Sequence, residues 1–131
     1  MDTSQSHKKV LVFGTFDRLH DGHLFFLSQA AKLGELYVSV ASDESVEQRK
    51  HKTPSQDMSE RIKSVQAIVG SDKALGGDKT LNEWTAIKSV KPDIIAVGFD
   101  QYGLKTALQD IAGKFSFEIV KINEKKNQWG G

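Results

Sequence analysis

The chain has 131 residues, of which 38% are hydrophobic and 27% charged, with a formal net charge of +1 and no cysteine. That is the length of one domain with an ordinary globular composition. It argues against a disulfide scaffold, thiolate chemistry and a polyanion-binding surface, and no apolar run approaches the roughly 18 residues of a membrane span.

Residues 1–8 begin Met1-Asp2-Thr3-Ser4-Gln5-Ser6-His7, polar and without the apolar core of a signal peptide. They are expected to form a flexible arm, and the cytoplasm is the expected location. Val10 to Phe13 is a short apolar run suited to a buried strand, and Gly14 ends it. Asp21 is the expected N-cap of a helix running to about Lys32, with Leu24, Leu27 and Ala31 on one stripe and Gly34 as its stop. A second strand follows over Leu36–Ala41. Gln48 to Pro54 reads as a basic loop. Asp57-Met58-Ser59-Glu60 has the form of a capping box and opens a helix through Arg61, Ile62, Val65 and Ile68, whose apolar spacing fits one buried stripe.

Ala74-Leu75 is expected to be a brief edge strand. Thr80-Leu81-Asn82-Glu83 is a second capping-box pattern, predicting a helix with Leu81, Trp84, Ile87 and Val90 inward that Pro92 closes. Asp93–Gly98 reads as a strand buried on both faces, with Phe99, Asp100 and Gln101 at its carboxyl end. Gly103 to Phe115 shows an amphipathic spacing through Leu104, Ala107, Leu108, Ile111 and Phe115. Phe117–Ile122 makes a last strand, and 123–131 a polar tail. Strands alternating with helices predict an α/β fold: a Rossmann-like, doubly wound, five-stranded parallel sheet in the order 3-2-1-4-5, with helices on both faces. The topological switch point then falls between strands one and four, and gathers Thr15, His20, His23 and Asp100 around one crevice.

The chemistry of that crevice favours an anion. A helix start offers N–H groups without intrahelical partners and partial positive charge. Gly22 leaves the backbone open to a phosphate. His20 and His23, three apart, share a helix face and can donate to phosphate oxygens. Two surface residues without a role would look the same in isolation. A zinc site is disfavoured, because the metalloprotease pattern sets its histidines four apart around a Glu. Arg49, Lys50 and Lys52 are candidate phosphate ligands or simply a solvated surface. Asp100 suits a ribose hydroxyl or base amino group, or the N-cap of the next helix.

Gly14-Thr15-Phe16-Asp17 followed by His20-Asp21-Gly22-His23 resembles the Gly-Thr-Phe-Asp and His-x-Gly-His signature of the cytidylyltransferase-like nucleotidyltransferases. The resemblance implies transfer of a nucleoside monophosphate from a triphosphate, ATP or CTP, to a small phosphorylated acceptor, with release of pyrophosphate and with Mg²⁺ accompanying the triphosphate. It implies a catalytic role for His20 and His23. Nucleotide binding falls to Gly14, Thr15, Phe16, His20, Asp21, Gly22, His23 and Asp100, and acceptor or phosphate binding to Arg49, Lys50, Lys52 and Arg61. No protein metal ligand, nucleic acid or membrane is expected, and a homodimer is an open expectation.

The nucleotidyltransferase domain is expected to span 9–122. Lys91-Pro92-Asp93-Ile94-Ile95-Ala96-Val97-Gly98-Phe99-Asp100-Gln101 further resembles the corresponding segment of the archaeal-type FAD synthases, which join the AMP of ATP to FMN. A CTP-dependent glycerol-3-phosphate cytidylyltransferase is the alternative, and a catalytically impaired nucleotide-binding module another. Both enzyme groups carry a Ser/Thr-rich motif after the last strand. Here residues 123–131 contain no Ser or Thr.

Overall fold

The computed structural model describes residues 8–80 and 83–122. Five strands, Lys9–Gly14 (β1), Glu35–Val40 (β2), Ala74–Gly76 (β3), Ile94–Gly98 (β4) and Glu118–Ile122 (β5), form one parallel sheet in the order β3-β2-β1-β4-β5. Its helices are Asp21–Ala31 (α1), Asp43–Lys50 (α2), Met58–Val69 (α3), Thr85–Val90 (α4) and Tyr102–Ile111 (α5). This is the doubly wound architecture that the alternation of elements predicts.

The period of two along each strand explains the two cores. Val10 and Val12 of β1 join Ile94 and Ala96 of β4 on the face covered by Leu27, Ala30 and Val65 of α1 and α3. Leu11 of β1 joins Ile95 and Val97 of β4 on the face covered by Ala86, Ile87, Val90 and Leu108 of α4 and α5. The chain changes face between β3 and β4, so the switch point lies between β1 and β4. There the pairing is short. β1 matches β2 along all of Lys9 to Gly14, but matches β4 only at Val10↔Ile94 and Leu11↔Ile95.

Several element ends differ from expectation. The N-cap of α1 is His20, not Asp21, because the His20 ring accepts the Gly22 N–H. The helix ends at Ala31, and Gly34, at φ +157°, sits where a Cβ would lie 2.3 Å from the Lys8 carbonyl. Arg49 and Lys50 belong to the last turn of α2 rather than to a loop, since Ser42 caps this helix through the Ser45 N–H. The Asp57/Glu60 capping box is present as expected, but Ile68 is exposed instead of completing the buried stripe.

α4 begins only at Thr85. Trp84 is its cap residue in the left-handed region, and the Asp78 carboxylate accepts the Thr85 N–H. Leu81 and Asn82, on which the second capping box rested, lie outside the described residues. Trp84 packs edge-on against Phe13, with ring centroids 5.9 Å apart. At α5 the cap position is Gln101 rather than Asp100, and Phe115 lies past the helix end, in a turn that still packs on the core. The arm at 1–7 and the tail at 123–131 lie outside the described residues. No helix among the described residues is long and apolar enough to cross a membrane.

Candidate functional site

The site assembles at the carboxyl ends of β1, β2 and β4. From Gly14 the chain enters a tight loop in which Phe16 and Arg18 both hold positive φ, 54° and 55°. That conformation costs about 1 kcal/mol or more per residue and persists because packing enforces it. The Phe16 ring folds back over Gly14, where an added Cβ would come within 2.7 Å of it. Phe16 is therefore buried, and its edge meets the His23 ring at a centroid distance of 5.4 Å. The Phe16 side chain, expected to bind nucleotide, packs against His23 instead.

His20 and His23 fix one another. The His20 N–H donates to His23 Nδ1 at 3.3 Å, the Gly22 N–H donates to His20 Nδ1 at 3.0 Å, and the rings stack at 3.8 Å. A nitrogen that accepts an N–H must carry a lone pair, so each neutral ring holds its proton on Nε2. Burial, then the nearby His20 and Lys50 charges, push His23 down to about 4, against weaker opposite effects of Asp17 and Asp100. His23 is thus a neutral Nε2–H donor across the neutral pH range. The Gly22 N–H expected to face a phosphate is instead taken by the His20 cap, and Asp21, exposed in the first turn, contributes no cap.

Lys50 and Asp100 lie close enough for their charges to act on His23. Arg49 turns toward Ser45, its Nε 3.5 Å from the hydroxyl, and Lys52 is exposed in the bend beyond α2. Arg61 departs most from expectation. Rather than reaching outward to phosphates it is fully buried. Its guanidinium donates to the Gln56, Thr15 and Ala41 carbonyls at 2.8–2.9 Å and pairs with Asp43 at 2.5 Å. The five donors of a planar fork suit this work, since they point in several fixed directions at once. Arg61 thereby ties the loops after β1 and β2 to the start of α3.

Asp17 makes a second tie. Its carboxylate accepts the Ser55 and Gln56 N–H groups at 2.8 and 2.9 Å. Burial alone would raise its pKa, but those two N–H groups and the Arg61 charge outweigh it and hold the carboxyl below its usual value. Gln56 returns a bond through Oε1 to the Arg18 N–H. Ser42, buried at the start of α2, donates to the Asp78 carbonyl and so anchors the chain after β3.

Sequence reasoning missed Gln56, Asp43 and Gln101 as site-builders, because their partners lie far away along the chain. Only Gln101 had a local signal, a long amide directly after the end of a central strand. Its side chain accepts the Gly98 N–H at 2.7 Å and donates to the Phe13 carbonyl at 2.9 Å, joining β4 to β1. Among the described residues no three His, Asp or Glu side chains gather as a metal cage.

A profile described as cytidylyltransferase-like matches residues 11–129. A FAD synthase of Methanohalobium evestigatum is 46% identical over 122 residues, covering 88% of this chain and 77% of that protein. A FAD synthase of Thermococcus sibiricus is 37% identical over 123 residues, covering 92% and 83%. Among solved structures, the lipopolysaccharide core biosynthesis protein of Thermoplasma volcanium superposes with a TM-score of 0.78 at 34% identity, covering 88% of this chain and 95% of that one. With the paired histidines at the head of α1 and a profile spanning nearly the whole sheet, the chain belongs to the cytidylyltransferase-like nucleotidyltransferase family.

Proposed function

We propose that this nucleotidyltransferase joins the AMP of ATP to FMN, forming FAD and pyrophosphate. The observation that carries the reading is the stacked His20–His23 pair, held at the carboxyl edge of the sheet with each Nδ1 accepting a backbone N–H. The choice of ATP and FMN is supported by relatives named FAD synthase that match most of their own length.

A phosphate oxygen of FMN attacks the α-phosphorus in line. The new P–O bond forms as the bond to the leaving pyrophosphate breaks. Charge grows on the transferring and leaving oxygens, and His20 and His23 donate to it from fixed positions, so no rearrangement is needed at the moment of reaction. The Nδ1 lone pairs matter, because a ring protonated there would forfeit the backbone bond that aims it. Lys50 lies on the same side and offsets the added negative charge, with Arg49 and Lys52 as further cations on that side of the sheet. Asp100 receives the ribose or base. The backbone from Gly14 to Phe16 and that of Asp21 and Gly22 forms the floor under the triphosphate. Arg61 and Asp17 hold this floor rather than touch substrate.

Mg²⁺ fits this site as an ion held mainly by triphosphate oxygens and water, the usual habit of a cation that dehydrates reluctantly. When bound it neutralises phosphate charge. Asp17 is a poor ligand for it, with one bond already accepted at each carboxylate oxygen. The test is the chromatographic appearance of FAD from ATP, FMN and Mg²⁺. No FAD over many hours, from folded protein that still binds ATP, would overturn the choice of reaction.

A further inference from the structure

The short pairing between β1 and β4 leaves a structural question at the switch point. Their register runs Val10↔Ile94 and Leu11↔Ile95. Continued by two residues it would set Phe13 beside Val97 and bring the ends of both strands together. The strands instead separate. The Gln101 amide stands between the Phe13 carbonyl and the Gly98 N–H and bonds to both, at 2.9 and 2.7 Å. A direct rung would hold the backbones at ordinary strand spacing, about 4.8 Å. An amide interposed between the two groups satisfies both while keeping them further apart.

We propose that Gln101 is a positioning residue that wedges the crevice between β1 and β4 open. Through that spacing it sets the distance from the Gly14–Phe16 backbone to Asp100, on either side of the nucleotide. Three observations converge on this. Both partners are backbone groups at the inner lips of the crevice, one immediately before Gly14 and the other two residues before Asp100. The side chain is partly buried, so its bonds compete with little water. Gln101 occupies the cap position of α5 yet caps nothing with its side chain, which turns back to the sheet instead. An amide serves here without charge at any pH, because one end must accept and the other donate at the same time.

This complementarity supplies the test. In Gln101→Glu the ionised carboxylate can still accept the Gly98 N–H, but it sets its second oxygen against the Phe13 carbonyl. Once protonated, the acid has the donor and acceptor of the native amide in nearly the same shape. Gln101→Met keeps the length and loses both bonds at every pH. Affinity for ATP with Mg²⁺, without acceptor, is measured by calorimetry from pH 5 to 8.5 and expressed as a ratio to the native protein at the same pH.

Gln101→Met should bind about tenfold more weakly throughout, the scale of one lost hydrogen bond transmitted to the ligand. Gln101→Glu should match that loss at pH 8.5, where its carboxylate is ionised. Native-like ATP binding by Gln101→Glu at pH 8.5, or a Gln101→Met variant that melts lower yet binds ATP normally, would overturn the proposal. The inference rests on the proposed nucleotide site, but the two can fail separately. If Asp100→Asn leaves ATP binding intact while Gln101→Met weakens it, the Asp100 assignment falls and the wedge stands. If the native protein binds no ATP, the proposed function falls and the wedge is read from hydrogen exchange. In that case Gln101→Met must accelerate exchange of the Gly98 amide, and unchanged exchange would overturn the wedge.

Discussion

Replacing Arg61 by Met removes the guanidinium from a fully buried position while keeping the length of the aliphatic stem. The Gln56, Thr15 and Ala41 carbonyls, bonded at 2.9, 2.8 and 2.8 Å, lose their donor. An acceptor stranded without a partner costs about 1–3 kcal/mol when buried. All three residues are only partly buried, so the lower figure applies and the sum is about 3 kcal/mol. Asp43, its side chain 35% exposed, regains water and adds little. For a domain of this size that corresponds to a fall in Tm of roughly 10 °C.

Urea unfolding of the native chain, Arg61→Met and Arg61→Lys gives the number directly. Lys keeps a charge but cannot reach three divergent carbonyls, so it should recover less than half of the loss. A loss below about 1 kcal/mol in Arg61→Met would refute the reasoning. It would mean that the three loops hold their positions without the clamp, and that Arg61 is free to serve substrate as the family resemblance first suggests.

Other outcomes follow from the same geometry. His23→Ala should lower turnover by about 10²-fold or more with a smaller change in KM for ATP, because the donor acts mainly on charge that develops during transfer. Steady-state kinetics checks it, and a change confined to KM would contradict it. The folded pKa of His23 is depressed to about 4 from 6.5. Its neutral state therefore stabilises the fold fully above pH 6.5, and that contribution is lost as pH falls from 6.5 through about 4. Urea unfolding of His23→Gln against the native chain should show the stability gap between them shift in the mutant's favour on acidification. Gly14→Ala should destabilise by about 1–3 kcal/mol by driving a methyl into the Phe16 ring, and should lower turnover because Phe16 props His23. Asp17→Asn should loosen the chain at Ser55 and Gln56, seen as faster proteolysis there, since an amide offers only one acceptor oxygen where two N–H groups converge.

The fold was legible because its strongest signals are local. Val10–Phe13 and Ile94–Val97 are unbroken apolar runs of strand length, and the Asp57/Glu60 capping box fixes the start of α3 within four residues. The histidine site was legible because both rings fall within one loop and one helix turn. What escaped were contacts between positions distant in sequence. Nothing near Arg61 announces that its partners are the Thr15 and Ala41 carbonyls, so an arginine in a first helical turn reads as an outward-facing cation. Nothing near Asp78 announces that it caps Thr85 across the intervening chain, so the start of α4 was placed too early. Even the N-cap of α1 went to the wrong residue. Asp21 has the better general propensity, but the His20 ring, locked by His23, occupies the capping position first.

Adenylate transfer to FMN at this site is tested most directly by pyrophosphate release with Mg²⁺, measured for ATP and CTP each paired with FMN and with glycerol 3-phosphate. The expected result is release with ATP and FMN, lowered by about 10²-fold or more in His23→Ala, and little in the other pairs. Release confined to CTP and glycerol 3-phosphate, or release at the native rate in His23→Ala, would contradict it.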